Sequence, residues 1–334
     1  MALESIERMK KLLLIVLVIG YFENCYCQIT TTKPVNEPED SVQDVYDSTY
    51  NFPGERINLI VGQKLYLNGI RERLRQFEYK GFRKEISHYK GEDSRENTYK
   101  PSGNRTSDYE YLFGRYFNVL EVIRHPKGIN PTSSTDKLLY ADNYYLRLKE
   151  VESGDEIIYQ YSSRFENSWN FIIVGFFEKR KDELKGQKFV FHDEFIESDL
   201  DLTRGSKIEP ITGETWTVTD YMINEEDFKL SIVFSSTEAS FLQDEWMFYN
   251  NLWVRDRIHS PSKVQALISK YGEEKVQIAL KGSVKLGWNK ELCSMAWGQP
   301  KEINEIINAS GKSEQWVYKE NYLYFDNDVL TTIQ

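Results

Sequence analysis

Short runs of aromatic and β-branched residues, bounded by polar turns, occupy the middle of the chain and predict strands over 64–67, 116–123, 145–148 and 157–161. Glu152-Ser153-Gly154-Asp155 supplies the hairpin turn between the last two, where glycine tolerates positive φ. Residues 80–108 interrupt the pattern with a stretch rich in Lys, Glu, Ser and Gly, expected to be a long, disordered surface loop. Past residue 257 the spacing turns helical. Ser260 caps a helix with Pro261 in its first position, and Val264, Leu267, Ile268 and Tyr271 fall at helical spacing. Gly272 ends it, and a second helix is predicted from Glu273 to about Leu280. Asn289 caps a third over Lys290–Trp297, stopped by Gly298 and Pro300. Strands over 302–308, 314–318, 322–325 and 329–333 close the chain, with turns at Ser310-Gly311-Lys312 and Asp326-Asn327-Asp328.

Two stretches echo one another. Gly62-Gln63-Lys64-Leu65-Tyr66-Leu67 is matched by Gly186-Gln187-Lys188-Phe189-Val190-Phe191, and Tyr116 to Ile123 by Thr215 to Ile223. Tyr145-Leu146-Arg147-Leu148 is then matched with Phe228-Lys229-Leu230-Ser231. Each copy reads as a small barrel or bent sheet of about five strands. The order of motifs resembles bacterial SH3-like modules, which places one module over 56–182 and a second over 183–256.

The last segment, about 282–334, resembles the SmpA/OmlA (BamE-like) family of small envelope domains. Gly287 opens the family pattern, Gly298-Gln299-Pro300 follows its helix, Trp316-Val317-Tyr318 supplies its Trp-x-Tyr, and Phe325-Asp326-Asn327-Asp328-Val329-Leu330 completes it. Trp288-Asn289 stand where Met-Thr is usual, and Asp328 stands where a turn glycine is usual. The resemblance implies an α-plus-β-meander that binds other envelope proteins without catalysis. The longer arrangement also looks similar to exported bacterial proteins with no assigned activity. The expected fold class is therefore α+β, mostly antiparallel β: two SH3-like modules, then a helical connector and a BamE-like domain over 257–334.

The amino terminus adds a compartment. Lys10 and Lys11, an apolar run from Leu12 to Phe22, and Cys25-Tyr26-Cys27 before Gln28 have the three parts of a signal peptide over residues 1–27, with Met9 a candidate start. Eleven apolar residues fall short of the about 20 that a membrane-spanning helix needs. Neither Cys25 nor Cys27 has the residues of a lipidation site before it. Residues 28–55 are polar and proline-containing and are expected to form a disordered stalk.

Composition narrows the partners. The net charge of −10 disfavours nucleic acid and anionic membrane surfaces, both of which recruit basic patches. Cleavage after Cys27 leaves Cys293 alone, so no internal disulfide forms, which favours a bacterial periplasm over an animal secretory route. His88, His125, His192 and His259 share no ligand spacing, and no cofactor or metal motif is present. Asp199-Leu200-Asp201-Leu202-Thr203-Arg204-Gly205 lacks the spacing of a calcium loop, with Arg204 where Gly and Pro210 where Glu is required, and Cys293 has no local activating partner. Seven tryptophans offer platforms for sugars or peptides, although such residues mostly anchor cores. The candidate partner surface comprises Trp288, Trp316, Tyr318, Tyr322 and Tyr324, with Trp316 and Tyr318 on one strand face expected to pack on the helix of Leu292. The leading expectation is a non-catalytic exported protein that binds an envelope protein or cell-wall component. The alternatives are a polysaccharide-active or other hydrolase whose carboxylates meet only in the fold, and a purely structural module.

Overall fold

The aromatic runs of the first half pair as antiparallel strands, several of them buried on both faces. In this computed structural model the described residues are 50–86, 94–103, 105–308 and 311–334. The expected signal peptide and the stalk up to residue 49 lie outside them. Among the described residues three antiparallel sheets form within one compact unit. The first contains β1 (Lys64–Leu67), β2 (Phe82–Arg83), β3 (Tyr116–Arg124), β4 (Asn143–Glu150), β5 (Glu156–Ser162) and β6 (Phe171–Ile173), in the order β2-β5-β4-β3-β1-β6. The second contains β7 (Lys188–Phe191), β8 (Thr215–Ile223), β9 (Leu230–Ser235), β10 (Ser240–Asp244) and β11 (Ile258–His259), in the order β10-β9-β8-β7-β11.

Without β2, the first sheet has the strand order of the second, and the agreement extends to single hydrogen bonds. Lys64 pairs with Asn118 as Lys188 pairs with Thr217. Gly62 N–H donates to Val119 O at 2.8 Å, and Gly186 N–H to Val218 O at 2.9 Å. Both glycines have positive φ, 86° and 80°, which a side chain would strain. Each long strand carries a bulge at the next step, between Val119 and Glu121 in β3 and between Val218 and Asp220 in β8. The third echoed segment is displaced from its sequence match. Val119 pairs with Leu148 and Val218 with Phe234, so Leu148 corresponds to Phe234 and not to Ser231. Register follows the bulge and the hairpin, and Phe228 lies in the hairpin turn at φ 58°.

The described parts of 80–108 pack against the first sheet and do not form a solvated loop. Phe82 is fully buried, packs on Tyr159 at 5.0 Å and brings β2 to the edge of β5. Tyr99, Thr98 and Ser107 are buried with it. Two aromatic anchors thus hold a segment that its overall polarity marks as free, with 87–93 and 104 outside the described residues.

A helix that sequence spacing did not announce, α1 (Val174–Leu184), leaves β6 and crosses the expected boundary at 182/183. It buries Phe176 in the core of the first sheet and places Phe177 on Tyr221 of the second, 5.1 Å between rings. The hairpin before β9 adds a second tie: Asn68 Nδ2 donates to Phe228 O at 2.6 Å, and the Phe228 ring meets Phe113 at 5.6 Å. After β10 come the short helices α2 (Glu245–Asn250) and α3 (Leu252–Arg255).

The terminal helices α4 (Pro261–Tyr271), α5 (Glu273–Leu280) and α6 (Lys290–Trp297) start and stop at their capping residues. Ser260 Oγ accepts from Lys263 N–H at 3.2 Å, and Asn289 Oδ1 accepts from Leu292 N–H at 3.0 Å. They cover one face of the meander β12 (Glu302–Asn308), β13 (Gly311–Val317), β14 (Tyr322–Asp326) and β15 (Val329–Ile333). β13 starts at Gly311, not Glu314, because Asn308 already pairs with Gly311. Asn327 and Asp328 turn the next hairpin with φ 48° and 68°, so Asp328 takes a conformation usually left to glycine.

Candidate functional site

The connection from the fourth long strand to the short closing strand occurs once in each related sheet, as 163–170 and as 245–257. These two connections face each other across a cleft of about 1090 Å³. The first supplies Phe165 and Trp169, and the second supplies Trp246 and Tyr249. Asp244 caps α2 by accepting from Met247 N–H at 2.9 Å. Capping fixes the helix so that Trp246 and Tyr249, three residues apart, share one face while Phe248 is buried on the other. Trp246 is 61 % exposed, Tyr50 60 % and Phe165 55 %. Three large aromatics left in solvent around one concavity are unusual for a core and typical of a contact surface.

Most of the charges lining the cleft are paired within the protein. Arg164, Arg180 and Lys229 face Glu166, Asp244 and Glu245, three of each sign. Arg180 Nε donates to Glu245 Oε1 at 2.8 Å, and Tyr221 OH donates to Glu245 Oε2 at 2.6 Å. Burial raises the Glu245 carboxyl above its ordinary value, against the lowering effect of Tyr221 and Arg180. The Arg180 guanidinium also covers the Tyr249 ring at 5.0 Å. Lys229 pairs with Asp244, and Arg164 with Asp142 at 2.6 Å. The edge of β6 is closed too. Asn51 Nδ2 donates to Phe171 O and Asn51 Oδ1 accepts from Ile173 N–H, both at 2.8 Å, where an added strand would bond.

A second concavity of about 550 Å³ adjoins the same 163–170 connection, and Phe165 and Asn167 line both. Its walls are tyrosine and amide side chains, with one acid and one lysine, Glu78 and Lys80. His125 sits there, stacked on Tyr140 at 4.3 Å and near Tyr145 at 5.1 Å.

The aromatic residues expected to form a partner surface do not converge. Trp288 and Trp316 are 4 % and 6 % exposed and belong to the terminal core with Leu292. They leave the candidate surface because the meander turns the Trp316 face onto the terminal helices, and Trp288, just before α6, enters the same core. Tyr318 is half-buried, donates to Gly298 O at 3.1 Å and meets Trp297 edge-on at 5.3 Å. Tyr322 and Tyr324 lie on the outer face of the sheet. Tyr324 OH accepts from Gln315 Nε2 and donates to Gln334 Oε1, both at 2.9 Å.

The structure does bring together two histidines far apart in sequence. His192 Nε2 and His259 Nε2 are 3.0 Å apart, both buried, between the second sheet and α6. Burial lowers His192 to about 3, with His259 and Arg257 adding to it, and lowers His259 to about 4, with Lys263 adding to it. His88 lies outside the described residues. Asp201 accepts from Thr203 N–H and pairs with Arg204, closing its own loop. Burial pushes Asp199 up to about 6 and the Cys293 thiol up to about 12. Among the described residues no three His, Cys, Asp or Glu side chains gather as a metal cluster, and no helix is long and apolar enough to cross a membrane.

Sequence spacing missed the cleft because its aromatics come from separate connections. The one local signal was Asp244 before Trp246 and Tyr249, a cap followed by an aromatic pair at helical spacing. No family model, curated protein or solved structure matches this chain.

Proposed function

We propose that this is an exported, non-catalytic binding protein of a bacterial envelope. Its two repeated sheets are SH3-like modules that hold a ligand cleft between them, and the BamE-like terminal domain is carried alongside. The carrying observation is the concentration of exposed Trp246, Tyr50 and Phe165 around one cleft. The ties through α1 and Phe228 favour a preformed site, which lowers the entropy cost of binding. A hydrolase reading would draw on Glu245, the cleft carboxylate that burial perturbs. Both its oxygens are already held, by Arg180 and Tyr221, which suits a wall anchor better than a nucleophile or acid.

The test is retention of envelope components by immobilised protein, compared with the Trp246→Ala variant. Trp246 is exposed enough to be removed without disturbing a core. The reading expects a component held by the native protein and lost from the variant. Equal retention by both, or release of reducing ends from a polysaccharide by the native protein, overturns it.

A further inference from the structure

We infer that the two concavities form one groove for a neutral oligosaccharide, draped over the 163–170 connection with Phe165 at its crest. This deepens the binding reading above and rests on it. Phe165 and Asn167 line both sides, so an occupant of one meets the same residues as an occupant of the other. The larger side alone, about 1090 Å³, exceeds the roughly 300–1,000 Å³ that suits a single small ligand. An oligomer fits better.

Charge selects the chemistry. The chain carries −10 overall, yet the lining acids and bases balance, three against three on one side and one against one on the other. Most of those on the larger side are also paired within the protein: Arg180 with Glu245, Lys229 with Asp244, Arg164 with Asp142. A polyanion or polycation would break these pairs and gain no net field in return. What the walls offer is aromatic surface and side-chain amides, Asn167 on both sides and Asn170 on the smaller, with Asn250 and Asn143 each keeping one N–H on the carbonyl of Trp246 or Leu139. Sugar rings present an apolar face to the first and hydroxyls to the second. An extended peptide is the poorer occupant, because its main chain would seek an open strand edge and Asn51 occupies that of β6.

The experiment is calorimetric titration of the full chain with neutral β-linked glucose and N-acetylglucosamine oligomers, from one ring to about six. Affinity should rise with length, stay unchanged between low and high salt, and fall about tenfold or somewhat less in Trp246→Ala and in Phe165→Ala, the worth of one aromatic contact each. Leu286→Ala, exposed on the terminal segment, serves as the control and should bind as the native protein does. Absence of heat with every oligomer overturns the assignment. So does binding that neither aromatic variant weakens, or tighter binding of a neutral peptide of equal length. If Trp246→Ala still abolishes retention of an envelope component while no oligomer binds, the sugar assignment fails and the binding reading survives. If retention is also indifferent to Trp246, both fail.

Discussion

The His192–His259 contact makes the protein's stability depend on pH in a way the structure allows to be worked out. In a 3.0 Å Nε2–Nε2 contact one ring donates and the other accepts, so only one of the two Nε2 atoms carries hydrogen. A second proton would set two N–H groups against each other, beside Arg257 on the connection before β11 and Lys263 on α4. The Met295 carbonyl of α6 is the group that favours the charged form. Folded values of about 3 and about 4 lie below the unfolded value of about 6.5, so the unfolded chain binds protons that the native one refuses. Stability is therefore unaffected above about pH 7, falls as pH drops below about 6.5, and levels off only near the folded values. At about pH 5 each ring costs about 2 kcal/mol and the pair about 4 kcal/mol, with a slope approaching two protons.

Urea unfolding at a series of pH values between about 7 and 5 measures that slope, compared with the His192→Gln/His259→Gln double variant. Glutamine keeps an amide near Nε2 but does not titrate. Asp199 acts in the opposite sense: raised to about 6, it takes its proton earlier in the folded protein and adds stability as pH falls. The difference between the two proteins removes that contribution. The double variant should lose most of the acid destabilisation over this range, whatever its stability at neutral pH. Equal slopes, or the His192 or His259 imidazole of the native protein titrating near its ordinary value, would refute the reasoning.

Three further outcomes are expected. Gly62→Ala and Gly186→Ala should each cost about 1–2 kcal/mol, since both impose positive φ on a side chain at corresponding positions; free tolerance of either in urea unfolding contradicts the correspondence. Phe228→Ala should cost about 2 kcal/mol, less than a fully buried ring. Gly69→Ala should give a similar loss, because its new Cβ would sit 2.1 Å from Phe228 Cε1; thermal unfolding checks both, and an unchanged midpoint removes Phe228 as a tie. Glu314 is held at about 2, burial opposing and the Lys290, Lys312 and Trp316 contacts prevailing. Its stabilisation is present above about 4.5 and lost as pH falls toward 2, so Glu314→Gln should flatten the acid limb of unfolding below about pH 4.5.

How far the sequence disclosed this molecule depended on whether a signal was local. Ser260, Gly272, Asn289 and Gly298 bound α4 and α6 because a cap acts within one turn of its residue. The Gly-Gln-Lys echo was legible for the same reason: positive φ and one backbone bond fix it. The third echo slipped by three residues because the connection before the strand differs between the copies, 125–142 in the first and the short hairpin 224–229 in the second, and strand register follows that hairpin and not local residue similarity. The described parts of 80–108 were misjudged since composition averages over Phe82 and Tyr99, both of which are buried. The cleft and the histidine pair are non-local altogether. His192 and His259 are separated by 67 residues and meet only because β11 closes on β7.

The repeated frame also shows where the three sheets are joined. Asn68 follows β1 and His192 follows β7 at corresponding places: Asn68 N–H donates to Asn170 O at 2.8 Å, and His192 N–H donates to Arg257 O at 3.0 Å. Each side chain then reaches out of its own sheet. Asn68 holds Phe228 O in the hairpin of the second sheet, while His192, with His259, lies against Met295 of the terminal helices. One position in the frame thus forms the joint to the next part of the chain, as an uncharged amide in the first copy and a titratable ring in the second. The first joint borders the cleft, since Asn68 and Phe228 both line it, and has no histidine at its centre. The second joint can loosen in acid. Acidification should therefore free the terminal helices from the second sheet while leaving the cleft intact, so hydrogen exchange at about pH 5 should rise around Met295 before it rises around Phe228.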